Sequence, residues 1–233
     1  METIEDKFKT ALMPLYEKLL KDNTFENIST FCIQWGKYFP KEEKTGILFI
    51  GKAINGWITD DTDINILFGD SEERIFARED QMEWVHKKEG SNNRYNTKTS
   101  AFWRVIKQIS QHYFPTEWYS YVAWSNLCKI APSKGGNPNN KLYYEQLDSC
   151  RQILSKEIEI LSPKAVVMLT SGWDKDFLYY LNDNIQPKSE MTLDWYGYQT
   201  ILYKIKGILY ISSPHPQGKS EDKHIEAIIK LIG

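Results

Sequence analysis

Apolar side chains recur at helical spacing near both ends of the chain. In residues 3–22 they lie three or four positions apart, at Ile4, Phe8, Leu12, Leu15 and Leu19, which predicts an amphipathic helix with a kink at Pro14. The same spacing over 142–161 predicts a long amphipathic helix. A last helix is predicted over 220–232, opened by the capping residue Ser220.

Short, continuous apolar runs lie between these helices and predict buried strands. The runs are "GILFI" at 46–50, "YSYVAWSNL" at 119–127, "KAVVMLT" at 164–170 and "ILYISS" at 208–213. Two further segments, "MTLDW" and "YQTILYKI", alternate enough to predict a hairpin around Tyr196 and Gly197. Further helices are expected after Thr24, over 71–90 with Ile75, Met82 and Val85 inward, over about 98–112, and over about 174–181.

Alternating strands and helices predict parallel β-α-β units. The expected fold class is therefore α/β, a three-layer α/β/α sandwich with a central, mainly parallel four-stranded sheet. No linker or repeat interrupts the chain, so residues 1–233 are expected to form a single domain, with residues 1–40 as a helical N-terminal extension packed on it.

Charge and cysteine content narrow the class of protein. There are 29 Lys and Arg against 31 Asp and Glu, a net charge of −2, so any nucleic-acid contact must be local and not a general basic field. Three widely spaced cysteines favour neither disulfides nor a zinc site and suit a reducing cytoplasm. No signal peptide and no membrane span is expected.

Polar, glycine-rich loops follow the four buried strands, where ligands bind in open α/β sheets. They are "GKAINGW", "NLCKIAPS", "TSGWD" and "SPHPQG". His215 in the last loop lies between Pro214 and Pro216, which stiffen the backbone around its ring. This placement indicates a functional residue, although a structural histidine that bonds a nearby carbonyl is the alternative.

Other chemistries have weaker support. No P-loop, no nucleophile elbow and no zinc-binding histidine spacing occurs, and the other histidines, His86, His112 and His224, are expected at the surface. Cys128 is either a core residue or a reactive thiol. No metal site and no cofactor is predicted.

The order of these loops resembles the uracil-DNA glycosylase superfamily, above all its bacterial family that carries an iron-sulfur cluster. The resemblance covers about residues 46–230 and rests on four motifs in the same order. They are "GKAING" at 51–56, "NLCKIAP" at 126–132 followed by Asn137 and Pro138, "DSCRQILSKEIEILSPKAVVMLT" at 148–170, and His215-Pro216.

The resemblance implies a DNA glycosylase that acts on a base rotated out of the duplex. His215 would then stabilise charge on the base carbonyl oxygen, and Asn126 would recognise the base edge. Gly51, Lys52 and Ala53 would line the base, and Tyr95 would stack on it, although Tyr95 could equally be a surface tyrosine. A local basic rim would hold the DNA backbone, or its lysines are merely solvated. The expected rim residues are Lys129, Lys134, Ser213, Gln217 and Lys219.

Two departures from the family pattern accompany the resemblance. Lys52 and Ala53 replace the acidic or amide residue that positions water in the first motif. The catalytic role would then pass to Asn55 or to an acid such as Asp60, Asp61 or Asp63. Only Cys150 matches a cluster ligand, so no iron-sulfur cluster is expected.

Three functions remain open from the sequence. The first is a cytoplasmic, monomeric DNA glycosylase that removes a deaminated or damaged base without a metal. The second is a catalytically silent module that binds a nucleobase or nucleic acid. The third is an unrelated α/β hydrolase or nucleotide-binding protein.

Overall fold

The computed structural model describes residues 2–39, 46–54, 61–70, 75–76, 78–86 and 96–233. The α-helices of these residues are α1 (Ile4–Asp22), α2 (Ile64–Leu67), α3 (Ala101–Tyr113), α4 (Asn140–Leu161), α5 (Lys175–Leu181) and α6 (Glu221–Ile232). The strands are β1 (Ile28–Thr30), β2 (Gln34–Trp35), β3 (Ile47–Gly51), β4 (Val122–Asn126), β5 (Ile130–Pro132), β6 (Ala165–Leu169), β7 (Ser189–Trp195), β8 (Tyr198–Ile205) and β9 (Ile208–Ser213).

A seven-stranded sheet in the order β2-β4-β3-β6-β9-β8-β7 forms the centre of the fold. β3, β6 and β9 run parallel, with Val166 opposite both Leu48 and Tyr210. The two margins are antiparallel, β2 on β4 and the β7–β8 hairpin on β9. The predicted α/β class is confirmed as a central, mostly parallel sheet flanked by helices, and antiparallel strands extend the sheet beyond the four expected.

The described residues divide into two compact units. The first comprises Met1–Ile33, Lys52–Arg78 and Ser125–Leu161. In it α1 packs along α4, and β1 pairs with β5. The buried Tyr16 donates its hydroxyl hydrogen to the carbonyl of Phe31 at 2.7 Å, which ties α1 to the segment after β1.

The second unit comprises Gln34–Gly51, Glu79–Trp124 and Ser162–Gly233. It holds the sheet, apart from the last two residues of β4, and the helices α3, α5 and α6. α6 packs on α3 and on β7, β8 and β9, because its apolar face carries Ile225, Ile228 and Leu231 toward them.

Two predicted helices are wrong in the described residues. The chain after Thr24 forms β1 and β2, since Ile28–Thr30 pair with Ile130–Pro132 about a hundred residues later. Residues 75–76 and 78–86 form bends and turns, with a 3-10 turn at Glu83–Val85. The three residues expected to point inward there are buried nonetheless: Ile75, Met82 and Val85.

The single-domain prediction stays a prediction. None of the three cysteines forms a disulfide bond, and all three side chains are buried. None of the helices in the described ranges combines the length and the apolar content that a membrane crossing requires.

Candidate functional site

Three of the predicted loops begin at one edge of the sheet in the second unit. Because β3, β6 and β9 are parallel, Gly51, Thr170 and Pro214 lie at or just after their carboxyl ends. This is the arrangement that the strand pattern predicted for these loops.

Hydrogen bonds to the neighbouring loop fix the main chain on both sides of Pro214. The carbonyl of Ser213 accepts from the amides of Thr170 and Ser171, at 3.1 and 3.2 Å. The amide of His215 in turn donates to the Ser171 hydroxyl at 2.8 Å. The His215 loop is thus attached to the loop after β6 as well as stiffened by its prolines.

The imidazole of His215 has a defined orientation. Its Nδ1 accepts from the amide of Gln217 at 3.3 Å, and its ring lies parallel to that of Phe102, with the centroids 5.9 Å apart and the planes at 13°. A neutral ring that accepts at Nδ1 carries its hydrogen on Nε2. Nε2 of His215 is therefore the ring nitrogen that can donate a hydrogen bond to a ligand.

Asn126 ends β4 in the first unit and is 1% exposed. Its side-chain nitrogen, Nδ2, has no hydrogen-bond acceptor among the residues that the structure describes. The loop that follows contacts the first motif, because the amide of Cys128 donates to the carbonyl of Lys52 at 2.9 Å. The first and second motifs are therefore adjacent in this unit, and a buried amide beside them lacks an acceptor.

Lys129 does not belong to a basic rim, and its predicted contact with the DNA backbone is wrong. Its side chain is fully buried, and its ammonium contacts both carboxylate oxygens of Glu157 at 2.8 and 2.9 Å. Burial raises the pKa of Glu157, while the ion pair with Lys129 and the bond from Ser125 oppose that rise. An ammonium enclosed in this way cannot neutralise a phosphate.

Ser213 is also withdrawn from solvent, so its predicted DNA contact is wrong. Its Oγ lies 2.9 Å from the Thr200 hydroxyl and 2.6 Å from Nε2 of His224. His224, expected at the surface, is instead fully buried and stacked on Trp195. Burial is the largest cause that lowers the pKa of His224, to about 4.

The remaining predicted residues fall into three groups. Lys134 and Gln217 are exposed, and Lys219 lies over the ring of Tyr198 at 5.0 Å, so all three stay candidates for the rim. Asp61 accepts from the amide of Asp63 at 2.8 Å in a turn that leads into α2. Outside the described residues lie Asn55, Asp60 and Tyr95.

The described residues do not fit an iron-sulfur cluster. The chain has only three cysteines, and burial raises the pKa of Cys150 to about 12, so its side chain is a thiol that donates to Gln146 at 3.3 Å. Among the described ranges no group of three His, Cys, Asp or Glu side chains could hold a metal ion.

Sequence patterns missed four residues that support the site: Ser171, Phe102, Gln146 and Glu157. Glu157 had a detectable signal, because it interrupts the apolar face of α4 between Ile153 and Leu161. A carboxylate on a buried face requires a cation, and Lys129 supplies it. Ser171 had no such signal, since its role depends on the pairing of β6 with β9.

A family model agrees with the fold and the order of these loops. The description of the matching family is "Uracil DNA glycosylase superfamily", and the match covers residues 39–231. The chain belongs to the uracil-DNA glycosylase superfamily, whose members are generally glycosylases. No curated protein matches the chain. Membership removes the third alternative, an unrelated α/β hydrolase or nucleotide-binding protein, and supports a glycosylase-like function.

Proposed function

We propose that the protein is a DNA glycosylase that hydrolyses the N-glycosidic bond of a flipped-out, uracil-like base, deaminated or damaged. The proposal rests on superfamily membership together with one observation, the buried Nδ2 of Asn126 that lacks an acceptor among the described residues. The proposed enzyme is a cytoplasmic monomer without a metal cofactor.

The Asn126 amide defines the kind of base. A buried N–H group without a partner costs about 1–3 kcal/mol, so it marks a place where a ligand oxygen restores the hydrogen bond. Uracil, hypoxanthine and xanthine carry carbonyl oxygens on the edge that is read, whereas cytosine and adenine carry amino groups in the equivalent places. Asn126 therefore favours a base with a carbonyl oxygen at that edge, such as uracil or hypoxanthine, over cytosine or adenine.

His215 supplies the electrostatic part of catalysis. Cleavage of the bond leaves positive charge on the sugar and negative charge on the departing base. The Nε2–H of His215, held by the Gln217 amide at Nδ1 and by the ring of Phe102, is a preorganised donor for the carbonyl oxygen on which that charge develops. That His215 and Asn126 act on the same base is part of the proposal.

The remaining roles follow from the resemblance of these loops to those of the family. Lys134, Gln217 and Lys219 contact DNA phosphates, and Gly51, Lys52 and Ala53 line the base. Tyr95 stacks on the base. The attacking water is positioned by Asn55, Asp60 or Asp61, because the lysine at position 52 cannot act as a carboxylate base.

Excision assays test this function. Oligonucleotides with a single uracil, hypoxanthine, xanthine or mismatch, in single and double strands, are incubated with the protein and then treated with alkali. We expect strand scission at a deaminated base that falls at least 100-fold in His215→Ala and in Asn126→Ala. His112→Ala, which alters an exposed histidine on α3, is the matched control and should retain activity. Equal scission by His215→Ala and wild type would refute the catalytic role.

A second candidate function is a catalytically silent module that binds a nucleobase or nucleic acid. One observation favours it: Lys52 occupies the first-motif position where the family has an acidic or amide residue. Binding of uracil-containing DNA that weakens in Asn126→Ala, without scission on any substrate, would support the module over the enzyme.

A further inference from the structure

A charged pair lies in the interior of the first unit. Lys129 and Glu157 are both 0% exposed, which is uncommon for either residue type. Three N–H groups of the Lys129 ammonium face Ser125, Asn126 and Glu157, at 2.6 Å to Oγ, 2.8 Å to the main-chain carbonyl, and 2.8 and 2.9 Å to the carboxylate. The ammonium is therefore fully satisfied inside the protein.

One of these bonds reaches the residue proposed to recognise the base. Lys129 holds the carbonyl of Asn126, and Ser125, the preceding residue, donates its hydroxyl hydrogen to Glu157 at 2.7 Å. The peptide groups around Asn126 are thus attached to α4 through a single carboxylate. Their orientation determines where the Asn126 side chain is directed.

Gln146, one residue of α4, secures the other end of the same segment. Its Oε1 accepts from the amides of Lys129 and Ile130, both at 3.0 Å, and its Nε2 donates to the carbonyl of Ile130 at 3.0 Å. The main chain from 125 to 130 is therefore held at both ends, while Nδ2 of Asn126 lacks an acceptor in the described residues.

Stability alone does not explain an ion pair in this position. Desolvation of two charges offsets much of their attraction, and apolar side chains of similar volume are often as stable. An apolar residue at 129 would leave the carbonyl of Asn126 buried without its donor. Lys129 supplies that donor, and Glu157 supplies the negative charge that compensates the buried ammonium.

We propose that the Lys129–Glu157 ion pair is a positioning device that holds Asn126 in its base-reading orientation. Lys129 and Glu157 are positioning residues and do not touch the substrate. The inference rests on the proposed function, since it assigns a support to the residue that recognises the base. Loss of the pair should weaken discrimination between bases in the same way as loss of the Asn126 amide.

A thermodynamic cycle on the full chain tests the device. The first variant replaces the pair by apolar residues, Lys129→Met with Glu157→Leu, and the second is Asn126→Ala. The third variant combines all three changes. We expect the apolar pair to lower kcat/KM for the best deaminated base about tenfold to 100-fold in the wild-type background and less than twofold in the Asn126→Ala background.

The control is Tyr16→Phe, which removes another buried side-chain bond to a main-chain carbonyl in the same unit, that of Phe31. It should leave kcat/KM and the ranking of bases unchanged. A second readout needs no substrate: the amides of Cys128, Lys129 and Ile130 should exchange with solvent at least tenfold faster in the apolar-pair variant, and not in Tyr16→Phe.

The outcomes separate the two proposals. If Asn126→Ala retains full activity, or if no base is excised by wild type, the proposed function fails and the positioning role falls with it. If Asn126→Ala is impaired but the folded apolar-pair variant is not, the positioning role alone is refuted. Equal losses in both backgrounds would assign the pair a purely structural role and also refute it.

Discussion

The amide of His215 donates to the hydroxyl of Ser171 across 2.8 Å. Ser171 lies in the loop after β6, with a left-handed backbone at φ 55°, and its own amide donates to the carbonyl of Ser213. The two residues thus hold each other's loops on either side of Pro214. The position of the proposed catalytic imidazole therefore depends on a serine that bonds the main chain of His215.

Ser171→Ala should lower kcat for base excision about tenfold with little change in KM, because the His215 amide loses its acceptor and the ring loses its fixed position. Alanine meets the same backbone strain as serine at positive φ, so the change isolates the hydroxyl. Single-turnover excision measures the effect. Ser110→Ala, which removes a buried hydroxyl bond to Ile106 on α3, should retain kcat, and equal losses in both variants would contradict the coupling.

Stability should fall as the pH falls through the range in which His224 takes up a proton in the unfolded chain. The pKa of His224 is lowered from 6.5 to about 4 in the folded protein, mainly by burial. The unfolded state therefore binds more protons between pH 6.5 and pH 4, and stability that is complete above pH 6.5 is lost toward pH 4, by about 3 kcal/mol.

Urea unfolding at several pH values measures this loss. His224→Gln should show a shallower dependence on pH over the same range, since it has no imidazole to protonate. His112→Gln, on the exposed face of α3, should keep the wild-type slope. Parallel curves for wild type and His224→Gln would contradict the assignment.

Removal of one partner of the buried ion pair should lower the free energy of unfolding more than removal of both partners. Lys129→Met leaves Glu157 without its cation in a fully buried site, which typically costs about 3–5 kcal/mol. Adding Glu157→Leu should restore most of that stability, because no charge then remains at this place in the interior. Chemical denaturation of the single and the double variant measures which is less stable. If Lys129→Met were as stable as wild type, the ion pair would not have the proposed role in stability.

The salt dependence of DNA binding should identify the rim. Lys134→Ala and Lys219→Ala should each reduce the slope of log K against log salt by about 1, because each proposed phosphate contact releases a counterion. The buried Lys129 should contribute nothing, so the apolar-pair variant should keep the wild-type slope. Lys206→Ala, which alters a surface lysine paired with Asp183, is the control. A slope unchanged in both rim variants would remove Lys134 and Lys219 from the interface.

The centre of the fold was predictable because its inner strands are apolar throughout. β3 and β6 are continuous runs of buried residues, and short runs of this kind are typical of strands that are covered on both faces. β1 and β2 were not predictable from local pattern, since Ile28–Thr30 become a strand only through pairing with Ile130–Pro132. Pairing with residues far along the chain, and not local strand propensity, determines that these segments are strands.

The loops of the candidate site were predictable from the sequence, but the burial of its polar side chains was not. His215 and Asn126 lie at the ends of strands, as the pattern required, but sequence placed Lys129 and His224 at the surface because most lysines and helical histidines lie there. Their partners, Glu157 and Ser213, are brought to them by the packing of α4 and of α6. Buried polar networks of this kind depend on tertiary contacts that no short motif encodes.

Direct measurement of the released base tests the glycosylase function most sharply. A duplex with one uracil is incubated with excess protein, and the free base and the abasic site are quantified by mass spectrometry over time. Release of uracil with an equal yield of abasic sites, at least 100-fold slower in His215→Ala and unchanged in His112→Ala, is the expected result. Failure to release uracil, hypoxanthine or xanthine from any strand, or release that does not depend on His215, would contradict it.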